Sequence, residues 1–482
     1  VRRGLIVAVV AAAALVAGCG SSKSSSAPPS PVATALSYIP ANSPFVLTAA
    51  TTSNAGGQAL VNRVPNLALA ETALFAKLRQ VGIDYNADIR PLFGNPIAGG
   101  LVLKGASGKP NQFIAAWVTK DASKLDALIK KLEPGLQQTG TRDGATVYSL
   151  GNLALATDDA TVVFASTQAD LNAALDRHAH GGGITPDDYS KAFTGLAQNG
   201  NLQVFGSLTQ VLSMPSAAKA QSVPWVAALR GYAASISESS TGLTFQYRLD
   251  TTGRSLSESD LPIASGNTAP SFAGTAPIVA AVRNPAQIFT FAENAERATN
   301  PAQYQRFAKR QAAVRSKTGV DLTSLIKLAT GDLIVDSDTH TTIGRVQVSD
   351  PTAAKTTIAK LAAHPTAISR TPPTIKRLSG GFYAIKSPHS KAVTVGVVGN
   401  QLVAGQATPA QLRSFAVAPP APAAGAQGAV AFKIALADVV RLASKHPLTG
   451  IGATVVKMLG DLTGWAAASP SQLTGNATLT IK

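Results

Sequence analysis

Apolar positions along the chain switch between a period of two and a period near 3.6, as expected of strands interleaved with helices. Residues 45–49 form a short apolar run and predict a strand. Residues 69–81 carry apolar side chains at helical spacing, with Glu71 near the start and Lys77 and Arg79 near the end, the distribution a helix dipole favours. Residues 96–104 and 113–119 read as a hairpin. Asp121 is then placed to cap a helix over 122–132, because its carboxylate can accept the free amide hydrogens of the first turn. Two or three further strands follow, through Val147 and residues 162–164. A helix over 168–175 and a last strand over 243–249 complete the series. Strands joined by short turns predict a largely antiparallel sheet with helices packed on it, an α+β fold.

The series then returns. Gly82-Ile83-Asp84, with Ile89-Arg90 and Gly94-Asn95, reappears as Gly319-Val320-Asp321, Ile326-Lys327 and Gly331-Asp332, at a shift of about 237. Trp117 to Asp121 pairs with Gln347 to Asp350, where Pro351 follows the capping aspartate as a first-turn proline does. Further on, Gly144 to Tyr148 pairs with Gly380 to Tyr383, Val163-Phe164-Ala165 with Leu402-Val403-Ala404, and Leu171 with Leu412. Val204-Phe205 pairs with Ala431-Phe432, and Leu243-Thr244 with Leu473-Thr474. Shared composition could produce any one of these pairs, but not the series in order. The expectation is two homologous α+β repeats, 34–250 and 272–482, joined by a Gly/Ser/Thr/Pro linker at 251–271. The repeats differ most at 178–199, read as a loop in the first, and at 419–428, a Pro/Ala stretch in the second.

The first residues follow another logic. Arg2 and Arg3, the apolar stretch 5–16 and the small residues Ala17-Gly18 before Cys19 make a secretory signal over 1–18. The stretch is shorter than the roughly 20 residues a helix needs to span a bilayer. Val16-Ala17-Gly18-Cys19 resembles a bacterial lipobox, which implies cleavage before Cys19, a diacylglyceryl group on its thiol, and acylation (palmitate or similar) of the new amino terminus. Residues 19–33, rich in Ser and Pro, read as a tether. The expected location is the extracytoplasmic face of the cell membrane, held by lipid. Cys19 is the only cysteine, so the fold has no disulfide and no cysteine-based metal site to rest on.

The opening Leu36-Ser37-Tyr38-Ile39-Pro40-Ala41-Asn42-Ser43-Pro44, followed by Gly82-Ile83-Asp84, Asp88-Ile89 and Phe93-Gly94, resembles the bacterial proteins grouped as domain of unknown function 3352. The likeness is strongest between residues 36 and 175. It implies an exported or membrane-attached α+β protein, and it carries over no catalytic residue.

Other chemistry is sparse. Ser216-Ala217-Ala218-Lys219, Ser265-Gly266-Asn267 and Lys317-Thr318-Gly319 repeat in order three short signatures of penicillin-recognising serine enzymes, which would need Ser216 as nucleophile beside Lys219. Ser265 falls in the predicted linker, and Lys317 ends a basic helix rather than lying on a strand, so that reading is set aside. His178 and His180 lie in a stretch read as a solvated loop and lack the further ligands a metal needs. No cofactor or metal is expected. Charge is more informative: residues 32–265 hold 17 Lys/Arg against 17 Asp/Glu, whereas 266–482 hold 22 against 9. Arg306, Lys309, Arg310, Arg315 and Lys317 fall on one predicted helix, suited to anionic lipid headgroups or an acidic wall polymer; an ordinary solvated face would read the same way. Export argues against nucleic acid. These features favour a non-catalytic binding or scaffold module at the cell envelope. The rival readings are a carrier holding an apolar ligand in a groove between lobes and, last, the serine enzyme.

Overall fold

The structure, a computed structural model, describes residues 30–52, 75–76, 78–80, 82–103, 110–132, 136–151, 153–198, 200–251, 256–338, 340–368, 372–388, 390–443 and 456–482. It divides into two compact units, one drawn from Val1–Ala217 and Arg230–Leu249, the other from Ala218–Leu229 and Asp250–Lys482.

The first unit is a sheet of ten strands: β1 (Phe45–Ala49), β2 (Ile97–Leu103), β3 (Pro110–Val118), β4 (Gln137–Arg142), β5 (Ala145–Leu150), β6 (Leu153–Asp158), β7 (Thr161–Ala165), β8 (Leu202–Ser207), β9 (Leu229–Ser239) and β10 (Gly242–Thr251). Their order is β4-β5-β6-β7-β3-β2-β1-β8-β9, antiparallel throughout, with β10 beside β9. Four helices matter to it: α1 (Pro31–Ser37), α2 (Ala122–Leu132), α3 (Gln168–His180) and α4 (Pro186–Ala192). Helices α1 and α3 cover one face, where Leu36, Leu171 and Leu175 meet Val46, Ala98, Ile114, Val163 and Phe205. Ile39 reaches so close to β2 that a Cβ on Gly100 would lie 2.4 Å from its Cγ2, which is why that strand position has no side chain. Helix α2 packs on the other face, with Leu125 and Ile129 against Leu155, Val162 and Trp117.

The second unit contains β11 (Ser271–Phe272), β12 (Ile278–Val282), β13 (Ala329–Ser337), β14 (Thr342–Val348), β15 (Thr374–Arg377), β16 (Tyr383–Lys386), β17 (Val393–Val398), β18 (Gln401–Gly405), β19 (Ala421–Pro422), β20 (Val430–Ala435), β21 (Leu459–Ala468) and β22 (Gln472–Ile481). Its sheet runs β15-β16-β17-β18-β14-β13-β12-β20-β21-β22, again antiparallel, while β11 and β19 pair apart from it. This is the strand order of the first unit, position for position. Its helices are α5 (Pro285–Thr299), α6 (Pro301–Thr318), α7 (Leu322–Lys327), α8 (Pro351–Ala363), α9 (Pro409–Val417) and α10 (Leu436–Ala443). Helix α9 covers one face through Leu412 and Phe415, against Val403, Ala281 and Ile334, and α8 the other through Ala354 and Ile358, against Val348 and Val397.

Local detail follows the sequence pairs. Gly82 and Gly319 both take positive φ, +82° and +66°, and each is followed by a buried Ile83 or Val320. Asp84 then accepts the amide hydrogens of Asn86 and Ala87, and Asp321 that of Thr323. Asp121 accepts from the Lys124 amide and Asp350 from that of Ala353, so both cap helices as expected.

Several expectations need correction. The tether ends earlier than residue 33, because Ser30 caps α1 and Pro31 opens it, burying Ala33. Four strands, not two or three, lie between α2 and α3, and β8 and β9 add two more before the last. The 178–199 segment is not simply a loop: α3 continues through His180, and α4 follows, opened by a capping box between Thr185 and Asp188. The predicted linker is partly folded, since Ser257 and Asp260 form a capping box and Leu261 is fully buried. Of the helix expected over 69–81, residues 69–74, 77 and 81 lie outside the described residues.

Candidate anionic-surface interface

Asn300 separates α5 from α6. Its side chain accepts the Gln303 amide hydrogen, Pro301 fills the first helical position, and Gly319 ends the helix in the left-handed region. The two helices pack together through Phe289 and Phe307, whose rings lie 6.5 Å apart. Tyr304 ties them further: its hydroxyl donates to Glu293 Oε1 at 3.2 Å, and the Arg297 guanidinium lies 4.8 Å from its ring centre. Val314 and Thr318 are the buried positions of α6, and Gln311 donates to Thr323 Oγ1 on α7.

At about 100° per residue, Arg306, Lys309, Arg310 and Lys317 fall within an arc of roughly 100° that avoids the seam marked by Val314 and Thr318. All four are exposed. Arg315 is exposed too, but falls about 180° from Arg306 and belongs to the other flank. Helix α6 has no acidic residue, and no ion pair among the described residues involves any of the five. Phe307, 37% exposed, borders the arc. The result is a cationic strip with an aromatic edge on a firmly capped helix, able to attract phosphate or carboxylate groups without first breaking a salt bridge. The sequence showed the charges. It did not show Arg297, Tyr304 and Phe307, since their role depends on the fold-back at Asn300, which only the Asn-Pro pair hints at.

The remaining sequence candidates are dispersed. Cys19 lies outside the described residues. Ser216 is exposed in a 3-10 turn, Pro215–Ala217, and Lys219 is an exposed residue before a second turn, Ala220–Ser222. Ser265 donates to Glu258 Oε1 at 2.7 Å, and Lys317 sits in the last turn of α6. His178 has a structural setting: its ring stacks on Tyr38 at 4.2 Å, and its Nδ1 lies 2.6 Å from Ser37 Oγ. Because Ser37 gives its proton to the Thr34 carbonyl, the imidazole meets a lone pair and fastens α3 to α1. Tyr38 is fully buried there, and burial, with Asp158 nearby, pushes its hydroxyl well above the ordinary tyrosine value. No cluster of His, Cys, Asp or Glu suited to a metal occurs among the described residues. Nor is any described helix long and apolar enough to cross a membrane.

No family model matches this chain, and no curated protein matches it. Among solved structures, TP0453 in its crystal forms III and I is similar over 46% of this chain and 82% and 80% of the other, at 12% identity. The TM-scores are 0.28 and 0.27, a likeness too slight to inform function.

Proposed function

We propose that this chain is a lipid-anchored cell-envelope lipoprotein, built from two copies of one α+β unit and acting without catalysis as a binding module whose second unit meets an anionic surface. The basic face of α6 is the observation that supports the reading: four exposed cations on one arc, with no acidic neighbour on the helix. The lipobox-like Val16 to Cys19 supports the anchor, and the shared strand order supports the duplication. Near a membrane surface each such cation contributes about 1 kcal/mol. Three removed together should therefore weaken binding by about 3 kcal/mol, on the order of 100-fold.

The test uses the full chain carrying Cys19→Ala, so that attachment does not come from the lipid. Co-sedimentation with vesicles containing phosphatidylglycerol is expected at low salt and should fade as salt rises, because screening shortens the reach of charge to about 8 Å at physiological ionic strength. Replacing Arg306, Lys309 and Arg310 by glutamine should abolish it while leaving the fold intact. Binding indifferent to salt and to these substitutions would refute the assignment.

A further inference from the structure

We propose that the second unit also holds a hydrocarbon chain, of the kind carried by a fatty acid, between its sheet and helix α5. The observation is a contrast between the two faces of the same strands. On β12, β13 and β20, Val279, Ala281, Ile334 and Ala431 are buried, the side of the sheet closed by Phe272 and by Phe415 of α9. On the opposite side Ile278, Val282, Leu333, Val335, Phe432 and Ile434 are all half-buried, neither packed nor open. The register makes them one continuous patch: Ile278 lies opposite Ile434, Val282 opposite Leu333, and Ala280 between Val335 and Phe432.

Helix α5 follows β12 and lies over β13. With the other face already closed, it runs above this patch. Its Phe289 meets Phe307 of α6, while Ile288 and Phe291 fall on another side of the helix, and none of its fifteen residues is buried. A helix packed on a sheet normally sinks an apolar residue at each turn, and protein interiors are close-packed. Two apolar surfaces that lie against each other with both left half-buried are what a further apolar group laid between them would complete. The first unit repeats the strand half of the pattern, with Leu47, Ile97, Leu101 and Val204 half-buried on the face opposite Val46, Ala98, Ile114 and Phe205.

The lining decides the chemistry. None of the six patch side chains offers a hydrogen-bond donor or acceptor, and β12, β13 and β20 each have a strand on both sides taking up their backbone groups. A sugar, nucleotide or peptide would give up water there for nothing in return. An alkyl chain has nothing to give up and gains by leaving water. A folded partner is excluded by α5, which covers the patch. This inference does not depend on the anionic-surface reading, since the basic arc of α6 lies away from the seam that α6 buries.

The test is titration of the delipidated full chain carrying Cys19→Ala with cis-parinaric acid, followed by fluorescence and by native mass spectrometry. Saturable binding displaced by palmitate is expected. Ala280→Trp, which fills the centre of the patch, should remove one equivalent of bound probe or weaken binding at least tenfold, with an unchanged thermal transition. Should that variant fail to fold, Val335→Thr keeps the volume and adds a hydroxyl, and a several-fold loss of affinity is expected. Replacing Arg306, Lys309 and Arg310 by glutamine should leave probe binding unchanged. No saturable binding to the parent chain, equal binding by the folded patch variants, or loss caused by the glutamine substitutions instead would each overturn the proposal.

Discussion

Arg345 is a buried cation, 5% exposed, with no carboxylate among its hydrogen-bond partners in the described residues. Its Nη1 donates to the carbonyls of Phe415, Ala416 and Ala418, at 2.6, 3.0 and 2.7 Å, and its guanidinium lies 5.4 Å from the Phe415 ring centre. Those carbonyls close α9, where the helix dipole is negative. Burial pulls the guanidinium's pKa down from its ordinary value, but arginine stays charged at any relevant pH. Arg345→Leu should cost about 3 kcal/mol, since it leaves buried carbonyls without donors, and Arg345→Lys should restore only part of the loss, because the lysine side chain is shorter than arginine's and its compact ammonium is more strongly hydrated and so costlier to bury. Thermal unfolding of the variants checks both. Asp88 is the first unit's counterpart in consequence. Burial raises its pKa, but the Lys131 ammonium at 2.6 Å and the Asp84 amide outweigh that, and the net value falls below the ordinary carboxylate range. Its folded pKa lies below its unfolded one, so its stabilisation is complete above about pH 4 and is lost as pH falls through the folded value. Asp88→Asn should flatten the acid limb of stability against pH; an unchanged limb would contradict this. The capping aspartates were legible because their targets lie three residues away. Arg345 was not, because its partners lie seventy residues on.

At the scale of elements, legibility followed the strength of the local pattern. Strand β1 and helix α2 fall where the periodicity placed them, since each has a buried stripe and clear ends. Strand β4 was missed because QQTGTR is exposed at every position, which removes the alternation a half-buried strand shows. The first three residues of α1 fall in the expected tether because prolines dominate the residues before it, although Ser30 followed by Pro31 is a start signal. Of the interface, the charges of α6 were visible and its fold-back on α5 was not. The two Gly-x-Asp junctions permit a direct test. At Gly82 and Gly319 an added Cβ would meet nothing within 4 Å, so only the positive φ opposes a side chain. Gly82→Ala and Gly319→Ala should each cost about 1 kcal/mol, seen as similar shifts in denaturant midpoint. A much larger loss at one site would mean that the two junctions are not equivalent.

Over the whole molecule, the strand order common to the two units left its trace in the sequence because strands keep the spacing of their residues: Val46 lies between Gly100 and Phe205, as Ala281 lies between Ile334 and Ala431 on the buried face of the second sheet, one residue out of register with the sequence pairing of Phe205 and Phe432. Loops escaped because no packing rule fixes their composition. The charge asymmetry gains its meaning only at this scale, since a lipid at Cys19 and a basic helix in the second unit would act on one membrane together. Two attachments on one chain reinforce each other, as the first raises the local concentration of the second. A single acyl chain binds marginally and two or more bind firmly, so the anchor should dominate. Cys19→Ala is therefore expected to move most of the protein out of the membrane fraction, leaving a remainder that high salt removes. Adding glutamine at Arg306, Lys309 and Arg310 should remove that remainder at low salt as well, whereas the same three changes with Cys19 intact should scarcely alter the fraction bound. Fractionation of cells carrying the four chains, at low and high salt, reads all these outcomes together. If the Cys19→Ala chain stays bound at high salt, the anchor is not at that thiol; if the combined variant stays bound at low salt, α6 is not the second contact.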